Sequence, residues 1–324
     1  MASHLRRIKR IDEIAKVSPP SRGWSHSGMV ILSDGVLVFA HPEGRRLIFH
    51  DPHKGSWMIK ETGLLEIHGI TRDPKSESVL WLADPGMKPA PENAYRDENA
   101  AGRVLSWDIR TGKIAELSQP SIDAYAYATW RPTSVAVDSS GLIWVADGYG
   151  ASLVHAFSAA GQHVFSLDGT ESGLRFNCPH GILVSAAGTY CASEVYIADR
   201  GNRRIVVFGQ DGTFHRVVTG DEMTSPSCLA AFDGVIFVTD LFGGLLQIEH
   251  GRKVSAIIQA PQQQPPPPWP NGGTLDSLHT PNLDPVTLHS PHGIATDAEG
   301  RLYITEWCIG GRQLRLVLNE RQSS

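Results

Sequence analysis

Charge is scarce in this chain: Asp, Glu, Lys and Arg make up 19% of residues, and the formal net charge is −5. That balance gives no broad positive field, so neither nucleic acid nor an anionic membrane is an expected partner. Long hydrophobic runs are missing too, and none approaches the roughly 20 apolar residues of a membrane span. Cysteine is sparse. Cys178, Cys191, Cys228 and Cys308 show no CxxC spacing, and four in 324 residues make no disulfide framework. The N-terminal stretch MASHLRRIKRIDEIAKV is basic but has no apolar core or small-residue cleavage site, so no secretory signal is expected in it. Together these features point to a reducing, cytoplasmic setting. Amphipathic helical stretches of convincing length are also lacking, which argues against a parallel α/β fold.

What the chain does have is a repeat. SPHGIATDAEGRLYITEW (290–307) reads as a short apolar strand, a turn with glycine, a second strand and then an acidic residue. The pattern recurs at HSGMVILSDGVLVFAH (26–41), EIHGITRDPKSESVLWLAD (66–84), RPTSVAVDSSGLIWVAD (131–147), CPHGILVSAAGTYCASEVYIAD (178–199) and SPSCLAAFDGVIFVTD (225–240). One or two further strand-like runs follow each copy. Six units of about four short strands predict an all-β chain, a six-bladed β-propeller occupying 1–324 as one domain. Blade 6 lacks an outer strand of its own, and the alternating RRIKRIDEIAKV segment is expected to supply it and close the ring. Two stretches rich in Pro and Gly, 85–102 and 259–290, interrupt the repeat. They are expected to be loops that continue no sheet, and the second is a candidate lid over the channel mouth.

Aligning the copies on the turn glycine places Ser27, His68, Thr133, His180, Ser227 and His292 at the start of the innermost strands. Histidine alternates with a small hydroxyl residue, and both His-to-His intervals are 112 residues. The first strand of every propeller blade lines the axis. His68, His180 and His292 therefore converge about a third of a turn apart at one height. Three imidazoles arranged so match the three-ligand pattern of a catalytic zinc site, although copper, iron or nickel also accept imidazole. The other eleven histidines show no such register and are expected mostly at the surface.

A second register follows from strand pairing, because the end of strand two lies beside the start of strand one. His41, Tyr149, Arg200, Phe242 and Trp307 should therefore ring the same mouth. Asp84, Asp147, Asp199, Asp240 and Glu306 recur just before that position, which marks them as loop-holding groups that bond backbone N–H. Tyr149 and Arg200 break the repeat, as catalytic groups should.

On these motifs the chain resembles the NHL-repeat propellers, and among them the peptidyl-α-hydroxyglycine α-amidating lyase family. The resemblance spans about residues 24–318, and it is most specific in EIHGI, CPHGI, SPHGI, VADGY and IADR. It implies that His68, His180 and His292 bind zinc, that Tyr149 is the catalytic base and that Arg200 holds a substrate carboxylate. The reaction implied is cleavage of an α-hydroxyglycine to an amide and glyoxylate. The resemblance further implies a structural calcium deeper in the channel. Where the family has a second substrate-binding arginine, this chain has His41 within FAHPEGRR, with Arg46 close by; His41, Arg46 and Trp307 are the candidate substrate contacts. Where the family has disulfide cysteines, this chain has Gly150, Val195 and Val207, which favours a small-molecule substrate over a secretory peptide. Three other readings compete. A gluconolactonase-type enzyme would need an oxygen-rich cage at the mouth, where this chain has imidazoles. A different hydrolase or isomerase could use the same three histidines. A protein-binding NHL scaffold would have no need of them.

Overall fold

The computed structural model describes residues 6–15, 20–185 and 193–319. Six four-stranded antiparallel sheets form a six-bladed propeller, and no α-helix is present among the described residues. The innermost strands are Met29–Ile31, Gly69–Asp73, Ser134–Val137, Pro179–Val184, Pro226–Phe232 and Pro291–Thr296. The second strands are near-continuous apolar runs such as Val235–Asp240 and Glu194–Asp199, buried at every position. Each is covered on both faces by neighbouring blades, so the period-two alternation of a half-buried strand is lost. Outer strands such as Ser56–Glu61 face solvent and are polar or mixed.

The core consists of packets between adjacent blades. Val38, Leu47 and Phe49 of blade 1, for example, pack against Leu80, Leu82 and Leu105 of blade 2. Nearer the axis the blades are stitched by hydrogen bonds. Gly28 N donates to His68 O (2.6 Å), Thr133 Oγ1 to Pro179 O (3.0 Å) and Thr239 Oγ1 to His292 O (2.7 Å). Thr305 Oγ1 closes the ring onto Ser27 O (2.5 Å). The Gly that follows each inner histidine has a steric reason. A Cβ on Gly69 would lie 2.8 Å from Thr133 O, and one on Gly181 would overlap Ser227 O.

The N-terminal segment closes the ring as expected. Ile8–Ala15 pairs antiparallel with Arg312–Leu318 as the outer strand of blade 6. Ile8 and Ile11 pack on the blade 5–6 core, and Asp12 pairs with Arg315 at 3.0 Å. Deleting residues 1–16 should therefore unzip blade 6. Domains of 150–250 residues shift by about 2–4 °C per kcal/mol, and this larger one by about 2 °C or less. Loss of a few kcal/mol of strand pairing should lower the melting midpoint by roughly 5 °C. An unchanged calorimetric midpoint would refute the closure.

The 85–102 insertion differs from expectation. Met87–Ala90 and Arg96–Asn99 form a two-stranded ribbon outside the blade sheets. Pro89 is tolerated because both strands of such a ribbon are edges. In 259–290 no regular strand forms between Ile258 and Pro291, as expected, and only the Gly272–His279 bridge is present. Cys178, Cys228 and Cys308 are free thiols, and Cys191 lies outside the described residues.

Candidate metal centre

The recurring acids hold the loops that lead into the axis. Asp84 accepts from the backbone N–H of Leu65, Glu66 and Gly86, Asp147 from Arg131 and Ala151, and Asp199 from Asn177. Asp240 accepts from the N–H of Thr224 and Ser225, and Glu306 from that of His289. With these turns fixed, the start of each inner strand has little freedom.

His68, His180 and His292 are 0–1% exposed and form a nearly equilateral triangle, with ring centroids 4.7, 4.7 and 4.9 Å apart. Nδ1 of His68 lies 2.6 Å from Thr133 O, that of His180 2.9 Å from Ser227 O, and that of His292 3.2 Å from Ser27 O. A carbonyl oxygen only accepts, so each Nδ1 carries the hydrogen and each Nε2 keeps a lone pair. Each histidine is thus oriented by the backbone of the next blade, the outer-shell arrangement that supports metal-binding imidazoles. Burial foremost, and then the neighbouring imidazoles, joined at His180 and His292 by the Arg200 guanidinium, hold all three well below the ordinary histidine pKa. They are neutral, the form in which imidazole binds metal.

A fourth imidazole joins them, against the expectation that the remaining histidines are mostly surface residues. His26 Nε2 is 3.2 Å from His68 Nε2, and its ring centroid is 4.6 Å from that of His292. The donor atoms of His26, His68, His180 and His292 all lie within 4.8 Å of one another. A signal for His26 was available. The residue before the aligned position is Ile67, Pro132, Pro179, Pro226 or Pro291 in the other blades and His26 in blade 1. A break in the repeat singled out Tyr149 and Arg200, and the same criterion applied one residue earlier finds His26.

Tyr149, in the turn after Ile143–Asp147, brings its hydroxyl into the cluster. It lies 3.1 Å from His180 Nε2, 3.2 Å from His26 Nε2 and 3.4 Å from His68 Nε2. Burial pushes the phenol above its ordinary pKa, while the Arg200 guanidinium pulls it back down. Arg200 Nη2 donates to the Tyr149 hydroxyl at 3.2 Å and to Cys178 Sγ at 3.4 Å. Among the described residues no carboxylate lies within ion-pair distance of Arg200, so its partly buried guanidinium is free to take an anion from outside the chain.

Trp307 stands at the mouth, its centroid 5.8 Å from His26 and 5.3 Å from Trp24. Trp269, from the 259–290 insertion, packs on Trp307 (5.9 Å) and Phe242 (5.6 Å), so this insertion lies at the mouth. His41 and Arg46 are not drawn into the imidazole cluster. Arg46 Nη2 is 2.7 Å from Glu43 Oε2 and 3.2 Å from His41 Nδ1, so the three form their own polar group in blade 1. Beyond the imidazoles the inner strands line an open channel of about 810 Å³ that runs out to the turn at Asp73 and Lys75.

The residues fit a metal ion. His292 Nε2 is buried with no hydrogen-bond partner, and the Nε2 lone pairs of His68 and His180 lie with it in one cluster whose donor atoms are all within 4.8 Å of one another. Lone pairs pressed together repel, and a cation at their centre would satisfy all of them. Four close imidazoles are a donor set for zinc or another imidazole-accepting transition metal.

Fold and cluster together define an NHL-type six-bladed β-propeller with four close histidines on its axis that could hold a metal ion. The NHL repeat family matches residues 129–157. The chain is a distant relative of the amidating lyases. It is 27% identical over 264 residues to peptidyl-alpha-hydroxyglycine alpha-amidating lyase 1 of Drosophila melanogaster, covering 74% of this chain and 42% of that protein. It is 29% identical over 305 residues to peptidylglycine alpha-amidating monooxygenase of Rattus norvegicus, covering 86% of this chain and 29% of that one. The chain thus spans less than half the length of these relatives. Among solved structures, a streptogramin B lyase superposes with a TM-score of 0.64 at 14% identity, over 96% of this chain and 98% of that one. That likeness concerns the fold alone.

Proposed function

We propose that the protein is a metal-dependent carbon–nitrogen lyase, acting on a small hemiaminal of the N-acyl-α-hydroxyglycine class and releasing an amide and glyoxylate. One observation carries the reading: the Tyr149 hydroxyl sits 3.1–3.4 Å from three imidazole Nε2 atoms and 3.2 Å from an Arg200 with no carboxylate partner among the described residues. The relatives named as lyases support the reaction class.

His68, His180 and His292 would hold the metal, which supplies Lewis acidity and lowers the pKa of a hydroxyl brought beside it. The remaining work belongs to the chain. Arg200 takes the substrate carboxylate, and its planar fork fixes the orientation of the adjacent carbon. That carbon carries both the hydroxyl and the amide nitrogen. Tyr149, entering as the phenolate, accepts the hydroxyl proton, the O–H electron pair becomes the C=O bond of glyoxylate, and the C–N pair leaves on nitrogen. The nitrogen takes that proton back from the Tyr149 hydroxyl, so the products are neutral amide and glyoxylate, the phenolate is restored and no co-reactant is consumed. Arg200 lowers the cost of ionising a phenol that burial otherwise keeps protonated.

The direct test is glyoxylate release from a simple N-acyl-α-hydroxyglycine by the metal-loaded protein. Release above the buffer rate supports the proposal; a metal-loaded protein that releases none overturns it. Arg200→Lys should raise KM for this substrate by at least about tenfold, because Lys cannot reproduce the bidentate contact. Unchanged kinetics would make Arg200 a structural residue.

A further inference from the structure

His26 sits on a strap, residues 22–26, that precedes the first strand of blade 1. That strap is pinned from two sides. Ser25 N donates to Cys308 O of blade 6 at 2.9 Å. From the other side the 87–99 ribbon grips it: Tyr95 Oη donates to Arg22 O (3.0 Å) and Lys88 Nζ to Trp24 O (2.5 Å). The Lys88 ammonium also bonds Glu66 Oε1 at 2.9 Å, and Lys88 and Glu66 are 3% and 2% exposed. That same Glu66 oxygen lies 3.4 Å from His26 Nδ1. A buried ion pair is costly to assemble, and here it adds no apolar packing. What it does is hold a carboxylate oxygen 3.4 Å from His26 Nδ1, which favours the proton on Nδ1 and leaves Nε2 for the other imidazoles.

We propose that His26 is a fourth imidazole ligand of the metal centre, and that the buried Lys88–Glu66 pair positions it through its Nδ1. This rests on the metal-centre reading above and adds to it a fourth protein ligand, from blade 1, beside those of blades 2, 4 and 6; the substrate hydroxyl then approaches as a fifth. The geometry agrees. Ligands on neighbouring vertices of a tetrahedral site with 2.0–2.1 Å bonds are about 3.3 Å apart. His26 Nε2 and His68 Nε2 are separated by 3.2 Å before any metal draws them in. Carboxylate behind imidazole behind metal is also the usual outer-shell order. The ribbon, which has no counterpart in the other blades among the described residues, thereby acquires a role: it sets how many ligands the metal has.

The test compares native protein with His26→Ala and with the double variant Glu66→Gln/Lys88→Met, which removes both buried charges together so that neither is stranded. Zinc affinity is measured by competition with a chromophoric chelator, and coordination by the visible spectrum of the cobalt(II)-loaded protein with and without azide. Both variants should bind zinc about 10–100-fold more weakly than native protein, the size expected when the support of a ligand is lost. Their cobalt spectra should respond to azide at concentrations that leave the native spectrum unchanged. A His26→Ala protein with native zinc affinity and a native azide response would overturn the fourth ligand. A double variant indistinguishable from native would overturn the positioning role of the pair. His68→Ala separates this inference from its foundation. Loss of zinc there upholds the metal centre whatever His26 does, and full zinc binding there removes the centre and this inference with it.

Discussion

Replacing Tyr149 with phenylalanine should leave the metal bound and lower kcat by about 10²–10⁴, the usual contribution of a positioned general base. The substitution removes one oxygen and keeps the ring, so its 5.3 Å edge contact with His68 and 5.7 Å contact with His180 survive. The imidazoles lose nothing they need for a metal, because their orienting bonds run from Nδ1 to Thr133, Ser227 and Ser27 on the far side. The Arg200 guanidinium loses one acceptor but keeps its contact with Cys178. KM should therefore move little while kcat falls. Glyoxylate release at varied substrate, with metal content measured on the same sample, checks both halves. A variant with native kcat would remove Tyr149 from the chemistry.

His180→Ala should lose the metal and keep the propeller. His180 is wholly buried at the axis, and its ring supplies one corner of the imidazole triangle. His68 and His292 stand 4.7 Å apart by centroid and stay oriented by their own carbonyls, but even with His26 beside them the set is left incomplete on the side that His180 closed. The loss to folding is smaller. One hydrogen bond to Ser227 O goes, a net effect of about 1 kcal/mol, together with the packing of one side chain. The blade cores and the other interblade stitches are untouched. After dialysis against a chelator and reloading with zinc, the variant should hold close to no metal while its circular dichroism matches the native protein. A His180→Ala protein that still takes up one zinc per chain would refute the site.

The fold was readable because a propeller repeats itself. The turn glycine and the second-strand acid recur at fixed offsets, and Asp84, Asp147, Asp199, Asp240 and Glu306 each proved to hold backbone N–H groups in their loops. The three histidines were readable for the same reason, since one register position on alternate blades leaves only the axis for them to share. What escaped lies where the repeat rule does not apply. His26 sits on the strap before the strand begins at Met29, so strand alternation makes no statement about where its ring points. Its position depends on Lys88 and Glu66, a contact 22 residues apart in sequence that no periodicity encodes. The ribbon at 87–99 was hidden by its Pro89, a residue that argues against a blade strand but not against an isolated hairpin. His41 and Arg46 were expected as substrate contacts at the mouth; Glu43, three residues before Arg46, holds that guanidinium in a polar group with His41.

The central claim is that the alternate-blade imidazoles form a metal centre, and the most direct test is the metal content of the protein purified without a histidine tag. Elemental analysis before and after incubation with zinc should find about one transition-metal ion per chain, retained through gel filtration. Protein that stays metal-free after that incubation would contradict the account.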